Sequence, residues 1–321
     1  MAEATLYQEC DDARDYTADA ALTAGEVLQI RDGRAAVIPL ATANGDGVGA
    51  QVEGTFKVLK TASIVILDGG AVYWDHSANT ATYNQVSDRD FLMGVAVGDA
   101  AAADTYVYVD LNKKPRYKVA LHESACASVI VGTAAAGGFG YPIQKGGACT
   151  FNITATNEAQ KVDLLSVMGF SKDSNPIIEG AFRVVNDGAG TATDVSLGLA
   201  SATHASDADA IAESAFIHLD GNATAIKAEC DDGTNEVAAT DTTLTYTEGS
   251  ALASRVEFWI DCRDLSSIKF YVNGARVLSA TTFVLSAATN TWFLLAHVEK
   301  TSSTDVYELA VDWLRVRTGQ Q

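Results

Sequence analysis

From about residue 23 onward the chain repeats one local pattern: short runs in which apolar and polar residues alternate, each closed by Gly, Asn or Asp. In Gln51-Val52-Glu53-Gly54-Thr55-Phe56-Lys57-Val58, the residues Val52, Phe56 and Val58 fall on one face. In Thr105–Leu111, Val107, Val109 and Leu111 share one side, and Tyr106 and Tyr108 the other. A period of two buries one face of a strand but would scatter around a helix. Longer runs follow at 255–261, 268–272, 292–298 and 307–317. Asn273-Gly274, between apolar runs, is the strongest hairpin signal in the chain. Only Asn157–Met168 and Asp207–Ser214 hint at helix. The fold class expected from these patterns is all-β.

Organisation follows from where the pattern starts, breaks and resumes. Residues 1–22 are polar and poorly periodic and read as an extended N-terminal arm. Residues 23–112 hold six or seven short strand signals at turn spacings of roughly 8–12, which suits a small β-barrel or sandwich. The basic run Asn112-Lys113-Lys114-Pro115-Arg116-Tyr117-Lys118 and the Ala/Gly-rich stretch after Thr133 mark 113–150 as a linker and irregular region. Residues 151–321 read as a larger, jelly-roll-like β-sandwich.

The chain has 22 basic and 41 acidic residues and a formal net charge of −19. A surface this negative repels phosphates, so no nucleic-acid partner is expected. No G-x-x-x-x-G-K-[ST] loop is present to cradle a nucleotide. The opening Met-Ala-Glu-Ala-Thr-Leu-Tyr lacks the basic and apolar runs of a signal peptide, and no apolar stretch reaches the ~20 residues of a membrane helix. Synthesis in a cytoplasm and no membrane partner are expected. Five cysteines, at 10, 126, 149, 230 and 262, are widely spaced and form no C-x-x-C pair, so reduced thiols are expected rather than disulfides or zinc.

The first region resembles the phage capsid cement, or decoration, proteins. The resemblance covers about residues 3–112. It rests on Tyr7-Gln8-Glu9, Asp15-Tyr16-Thr17, Ala24-Gly25-Glu26-Val27, Val52-Glu53-Gly54-Thr55-Phe56, Gly70-Ala71-Val72-Tyr73-Trp74-Asp75 and Gly94-Val95-Ala96 in that order. It implies a structural protein on the outer surface of a virion head. Its partners would be the major capsid protein and two further copies in a homotrimer. The second region is similar to concanavalin A-like lectin and glucanase sandwiches through Glu257–Asp261, Ile268–Gly274 and Val311–Val316. That likeness implies an outward accessory domain, with host-surface glycans as an alternative partner.

Tyr7, Gln8, Tyr16, Thr17, Tyr73 and Trp74 are the candidates for capsid or subunit contact, with core packing expected for one ring of the Tyr73-Trp74 pair. No residue stands out in the sequence as a glycan contact. Trp259, Trp292 and Trp313 read as core. Glu257 and Asp261 share a strand face but lie about 13 Å apart, too far for paired carboxylate chemistry. The run Glu229-Cys230-Asp231-Asp232-Gly233 has oxygen ligands suited to Ca²⁺, yet its spacing matches no known loop and reads as a solvated turn. Histidines 76, 122, 204, 218 and 297 are scattered and suggest no catalytic pairing. No catalytic residue, metal or cofactor is expected, and the chain reads as a non-enzyme. Removal of residues 1–22 is expected to abolish shell or trimer binding and leave the rest folded.

Overall fold

The computed structural model describes residues 3–7, 12–121, 126–137, 148–204 and 207–319. Within them the chain is all-β, apart from two single-turn 3₁₀ segments at Lys172–Ser174 and Leu252–Ser254. It divides into two compact units, Met1–Arg116 and Tyr117–Gln321.

The first unit contains β1 (Ala4–Leu6), β2 (Ala13–Thr17), β3 (Val27–Gln29), β4 (Ala35–Val37), β5 (Gly47–Gln51), β6 (Thr55–Leu59), β7 (Ala71–Asp75), β8 (Thr80–Thr82), β9 (Phe91–Ala96) and β10 (Tyr106–Leu111). They form two antiparallel sheets, β1-β6-β10-β9-β7-β8 and β2-β5-β4-β3. The run read as one strand over 51–58 is two, because Gly54 takes a positive φ of 112° and turns the chain from one sheet to the other. Phe56, Val58, Val72, Trp74, Met93, Val107 and Val109 fill the core of the larger sheet. Val27, Ala35 and Val37 of the smaller sheet join it. Asn112, at φ 58°, binds the two together: its Oδ1 accepts from Ala35 N–H, and its Nδ2 donates to the carbonyls of Ala35 and Val52. Gly94 is required where it stands, since a Cβ there would lie 2.2 Å from the Asp110 carbonyl oxygen.

The extended N-terminal segment lies along its own unit. β1 pairs with β6, its Ala4 N–H donates to Gly25 O, and Glu3 accepts from Val27 N–H. β2 pairs with β5, and Ala18 and Leu22 are buried beside Ile38, Ala50 and Val52.

The second unit contains β11 (Val119–Ala120), β12 (Cys126–Val131), β13 (Ala135–Ala136), β14 (Cys149–Ile153), β15 (Glu158–Ser166), β16 (Pro176–Asn186), β17 (Thr193–Ala200), β18 (Ser214–Asp220), β19 (Ala225–Asp231), β20 (Glu236–Thr245), β21 (Val256–Asp261), β22 (Lys269–Val272), β23 (Ala275–Val277), β24 (Phe293–Ser303) and β25 (Tyr307–Thr318). One sheet runs β13-β14-β25-β16-β21-β22-β23, with β11 also on β25; the other runs β12-β15-β24-β17-β18-β19-β20. One continuous core, with Phe151, Phe182, Phe258, Phe270 and Trp292 among its largest members, draws on both sheets. The stretch 113–150, expected as linker and irregular region, contributes β11 to β14 to these sheets: β11 and β14 pair with the distant β25, β12 with β15, and β13 with β14.

Two helix hints resolve otherwise. Asn157–Met168 forms β15, with Val162 and Leu164 in the core and β12 and β24 paired on either side. Asp207–Ser214 is a turn leading into β18, anchored by Ala208 and Ile211 against Phe216 and Leu295. Trp292 is core as expected, but Trp259 and Trp313 are only half-buried. They lie on the outer face of the first sheet, where Trp259 packs edge-on to Tyr271 and Arg255 and Arg315 cover the Trp313 ring. On that side Arg183 and Asp312 form a buried ion pair of 2.6 Å between β16 and β25.

Cysteines 149, 230 and 262 are buried free thiols and Cys126 is half-buried; Cys10 lies outside the described residues. Among the described residues, no helix is long and apolar enough to cross a membrane.

Candidate functional site

In the first unit, alternation along β6 and β10 sends Phe56, Val58, Val107 and Val109 inward and leaves Lys57, Tyr106 and Tyr108 on the opposite face. There the Lys57 ammonium sits 4.2 Å over the Tyr106 ring. Tyr7, 64% exposed, lies with its ring centroid 4.5 Å from that of Tyr108. Its backbone N–H donates to Thr55 O, which extends the β1 pairing by one residue. The result is a half-exposed aromatic face whose rings are held in place by the sheet. Rigid tyrosines of this kind supply contact area at little cost in side-chain entropy.

The expected contact residues scatter around this frame. Tyr7 is on the aromatic face, while Tyr16 and Thr17 belong to β2 of the other sheet. Tyr16 is half-buried and donates to Asp19 through its hydroxyl, and Thr17 is exposed. Tyr73 is half-buried on β7. Trp74 is fully buried in the core, so its indole is not displayed to a partner; its Nε1 has no hydrogen-bond partner among the described residues. Gln8 lies outside the described residues. Tyr106, Tyr108 and Lys57 were missed as candidates because alternation marks them only as the non-core face.

In the second unit the outer face of the seven-stranded sheet carries a buried polar row. Inward residues Val162, Ala296, Leu197, Ile217 and Ala228 build the core. Their outward neighbours Asp163, His297, Ser196, His218 and Lys227 stand directly opposite one another on β15, β24, β17, β18 and β19. His297 is bonded through Nδ1 to Asp163, and its Nε2 lies 3.2 Å from Glu299. Burial would lower the affinity of this ring for its proton, but the contacts with Asp163 and Glu299 outweigh it and push its pKa up to about 9. His218 Nε2 lies 2.9 Å from Asp220 and 3.7 Å from Asp194; Nδ1 lies 3.3 Å from Glu229 and 3.5 Å from Asp209. Burial is again outweighed by the nearby carboxylates, and the pKa is pushed up to about 11. Residues after β17 lie against this row: the Lys161 ammonium donates to the His204 carbonyl, and Asp209 reaches His218.

Glu229 thus faces the histidine row rather than forming one ligand group with its neighbours. Asp231 and Asp232 instead accept from backbone N–H groups of Gly233, Thr234 and Asn235, which makes that run a capped turn. Glu257 and Asp261 end in ion pairs with Arg255 and Arg263, each 2.8 Å. In a cleft of about 900 Å³, the charged groups of Lys172 and Arg263 are already engaged. Lys172 donates to Ala288 O, and Arg263 pairs with Asp261.

None of the curated proteins matches the chain. Among solved structures, the carbohydrate recognition domain of Emp47p is 12% identical with a TM-score of 0.42, over 60% of this chain and 89% of that one. An endo-acting O-glycanase of the human gut microbiota is 11% identical with a TM-score of 0.41, over 64% of this chain and all of that one. The protein SO2946 of Shewanella oneidensis MR-1 is 10% identical with a TM-score of 0.41, over 60% of this chain and 78% of that one. The first unit has a more specific counterpart: residues 8–111 match the family model of a phage cement protein.

Proposed function

We propose that the chain decorates the outer surface of a tailed-phage head and stabilises the shell by binding the major capsid protein across subunit boundaries. The observation that carries this reading is the match of residues 8–111 to the cement protein model. A cement protein works by linkage: surface buried only in the assembled shell favours that state over the separated one. The aromatic face of Tyr7, Tyr106 and Tyr108 supports the reading, because its rings are already fixed by the sheet and lose little freedom on docking. The second unit is then an accessory sandwich facing away from the shell, and a homotrimer is the working assembly. No catalytic role is proposed for either unit.

Glycan attachment by the second unit has less support. The polar row on its seven-stranded sheet is buried, with Asp163, Ser196 and His297 at most 1% exposed, and offers no open sugar groove among the described residues.

The test uses heads assembled without this protein, to which the full chain is added before sedimentation and imaging. Saturable binding to the outside of the shell is expected, with protection of the heads against heat. Y7A/Y108A should lower head affinity about tenfold or more, roughly the loss of one good aromatic anchor. Absence of the protein from saturated heads would overturn the reading. Undiminished binding by the double variant would move the contact away from the aromatic face. Sedimentation equilibrium of the free protein tests the trimer.

A further inference from the structure

We propose that Asp209, His218 and Glu229 hold a divalent first-row metal cation against the outer face of the seven-stranded sheet. The three offer Oδ1, Nδ1 and a carboxylate oxygen within 4.8 Å of one another. Two of them, His218 and Glu229, are fixed on neighbouring strands; the third, Asp209, comes from the turn that crosses the face and is itself exposed. This gives a cation three protein ligands and a route from solvent. The remaining coordination positions fall to water.

His218 is the second, independent sign of a ligand. It is 4% exposed, and its Nδ1 is buried and makes no hydrogen bond, although it points between the Glu229 and Asp209 carboxylates. Its other nitrogen is held 2.9 Å from Asp220, which in turn is braced by Lys227. With Nε2–H held by Asp220, a cation binding at Nδ1 displaces the proton there and takes its place between the two carboxylates, and a carboxylate on the far nitrogen is the arrangement that orients metal-bound imidazoles in general. Glu229 is similarly oriented, since Ser196 Oγ lies 3.5 Å from Oε1 and leaves Oε2 turned toward the ring.

Charge points the same way. Asp163, Asp194, Asp209, Asp220, Glu229 and Glu299 line this face against two lysines and two imidazoles. The carboxylates thus outnumber the basic side chains six to four, an excess that favours a cation. One imidazole nitrogen with carboxylate oxygens suits Mn²⁺ or Zn²⁺ better than the all-oxygen preference of Ca²⁺. A cation here would tie the crossing turn to β18 and β19 and so close this face.

The test titrates Mn²⁺ into chelator-stripped full-length protein, followed by electron paramagnetic resonance, a readout that buried thiols do not confuse. One saturable Mn²⁺ per chain is expected, with a rise in the unfolding temperature of the second unit. D209N and E229Q, which keep side-chain volume, should each weaken binding about tenfold or more, whereas D194N, on the other side of the ring, should change it less than about threefold. Circular dichroism of the variants controls for folding. Failure of Mn²⁺ to saturate at one per chain would overturn the proposal, as would D209N and E229Q binding like the parent, or D194N showing the larger loss.

Discussion

His297 holds its proton more tightly in the fold than a free imidazole does, and the sign of the consequence follows from linkage. Its pKa stands at about 9 because Asp163 and Glu299 outweigh burial. A basic group with a raised folded pKa stabilises fully below the unfolded value near 6.5 and loses that contribution as pH climbs through about 9. Between pH 7 and 9 the folded state binds the extra proton, so unfolding free energy should fall with pH by up to about 1.4 kcal/mol per unit from this ring alone. Urea denaturation of metal-stripped H297Q over this range should show a slope shallower by that amount. An unchanged slope would mean the ring is uncharged in the native protein. At the same scale the sequence was a poor guide: His218 and His297 looked scattered, and only the register Ser196↔His218 and Ser196↔His297 sets them in one row. Trp74 was legible as an apolar strand residue, but which ring of Tyr73-Trp74 turned inward depended on the pairing of β7 with β9.

At the scale of elements, the N-terminal segment combines edge pairing with attachment between sheets. β1 completes the edge of the six-stranded sheet, while Glu3 and Ala4 bond to Val27 and Gly25 of the opposite layer. Deleting residues 1–22 also removes β2 and the buried Ala18 and Leu22. The expected outcome is therefore a lower and broader unfolding transition of the first unit, with loss of head binding following from it. Differential scanning calorimetry checks this, and an unshifted transition would mean the segment is dispensable to the fold. Strand β6 would then present an open edge, a known hazard for unwanted pairing. The helix hint at 157–168 failed for a related reason: apolar residues at 162, 164 and 165 fit either period, and two flanking strands decide the matter.

At the scale of the molecule, each unit has its own buried core, so each has what independent folding requires. The fragment Tyr117–Gln321 is expected to fold alone, with a calorimetric transition matching one of two in the full chain, and without affinity for heads. A fragment that is unfolded in isolation would show that the sandwich depends on the first unit. The net charge of −19 belongs to this scale as well, since it keeps copies apart in solution until a specific surface brings them together.

Alternation, turn chemistry and the scarcity of proline were enough to determine an all-β chain, the Asn273-Gly274 hairpin and most strands from 214 onward, because these depend on contacts close in sequence. The ordered motifs of the first hundred residues were enough to point to the cement family. Only the tertiary structure drew β11 to β14 into the sandwich and moved Trp259 and Trp313 out of the core. It alone gathered Asp209, His218 and Glu229 around one point. Each of those outcomes is set by register between strands distant in the chain, where a shift of one residue exchanges the inner and outer faces. Local pattern records that a strand has two faces; what each face meets is decided by its neighbours.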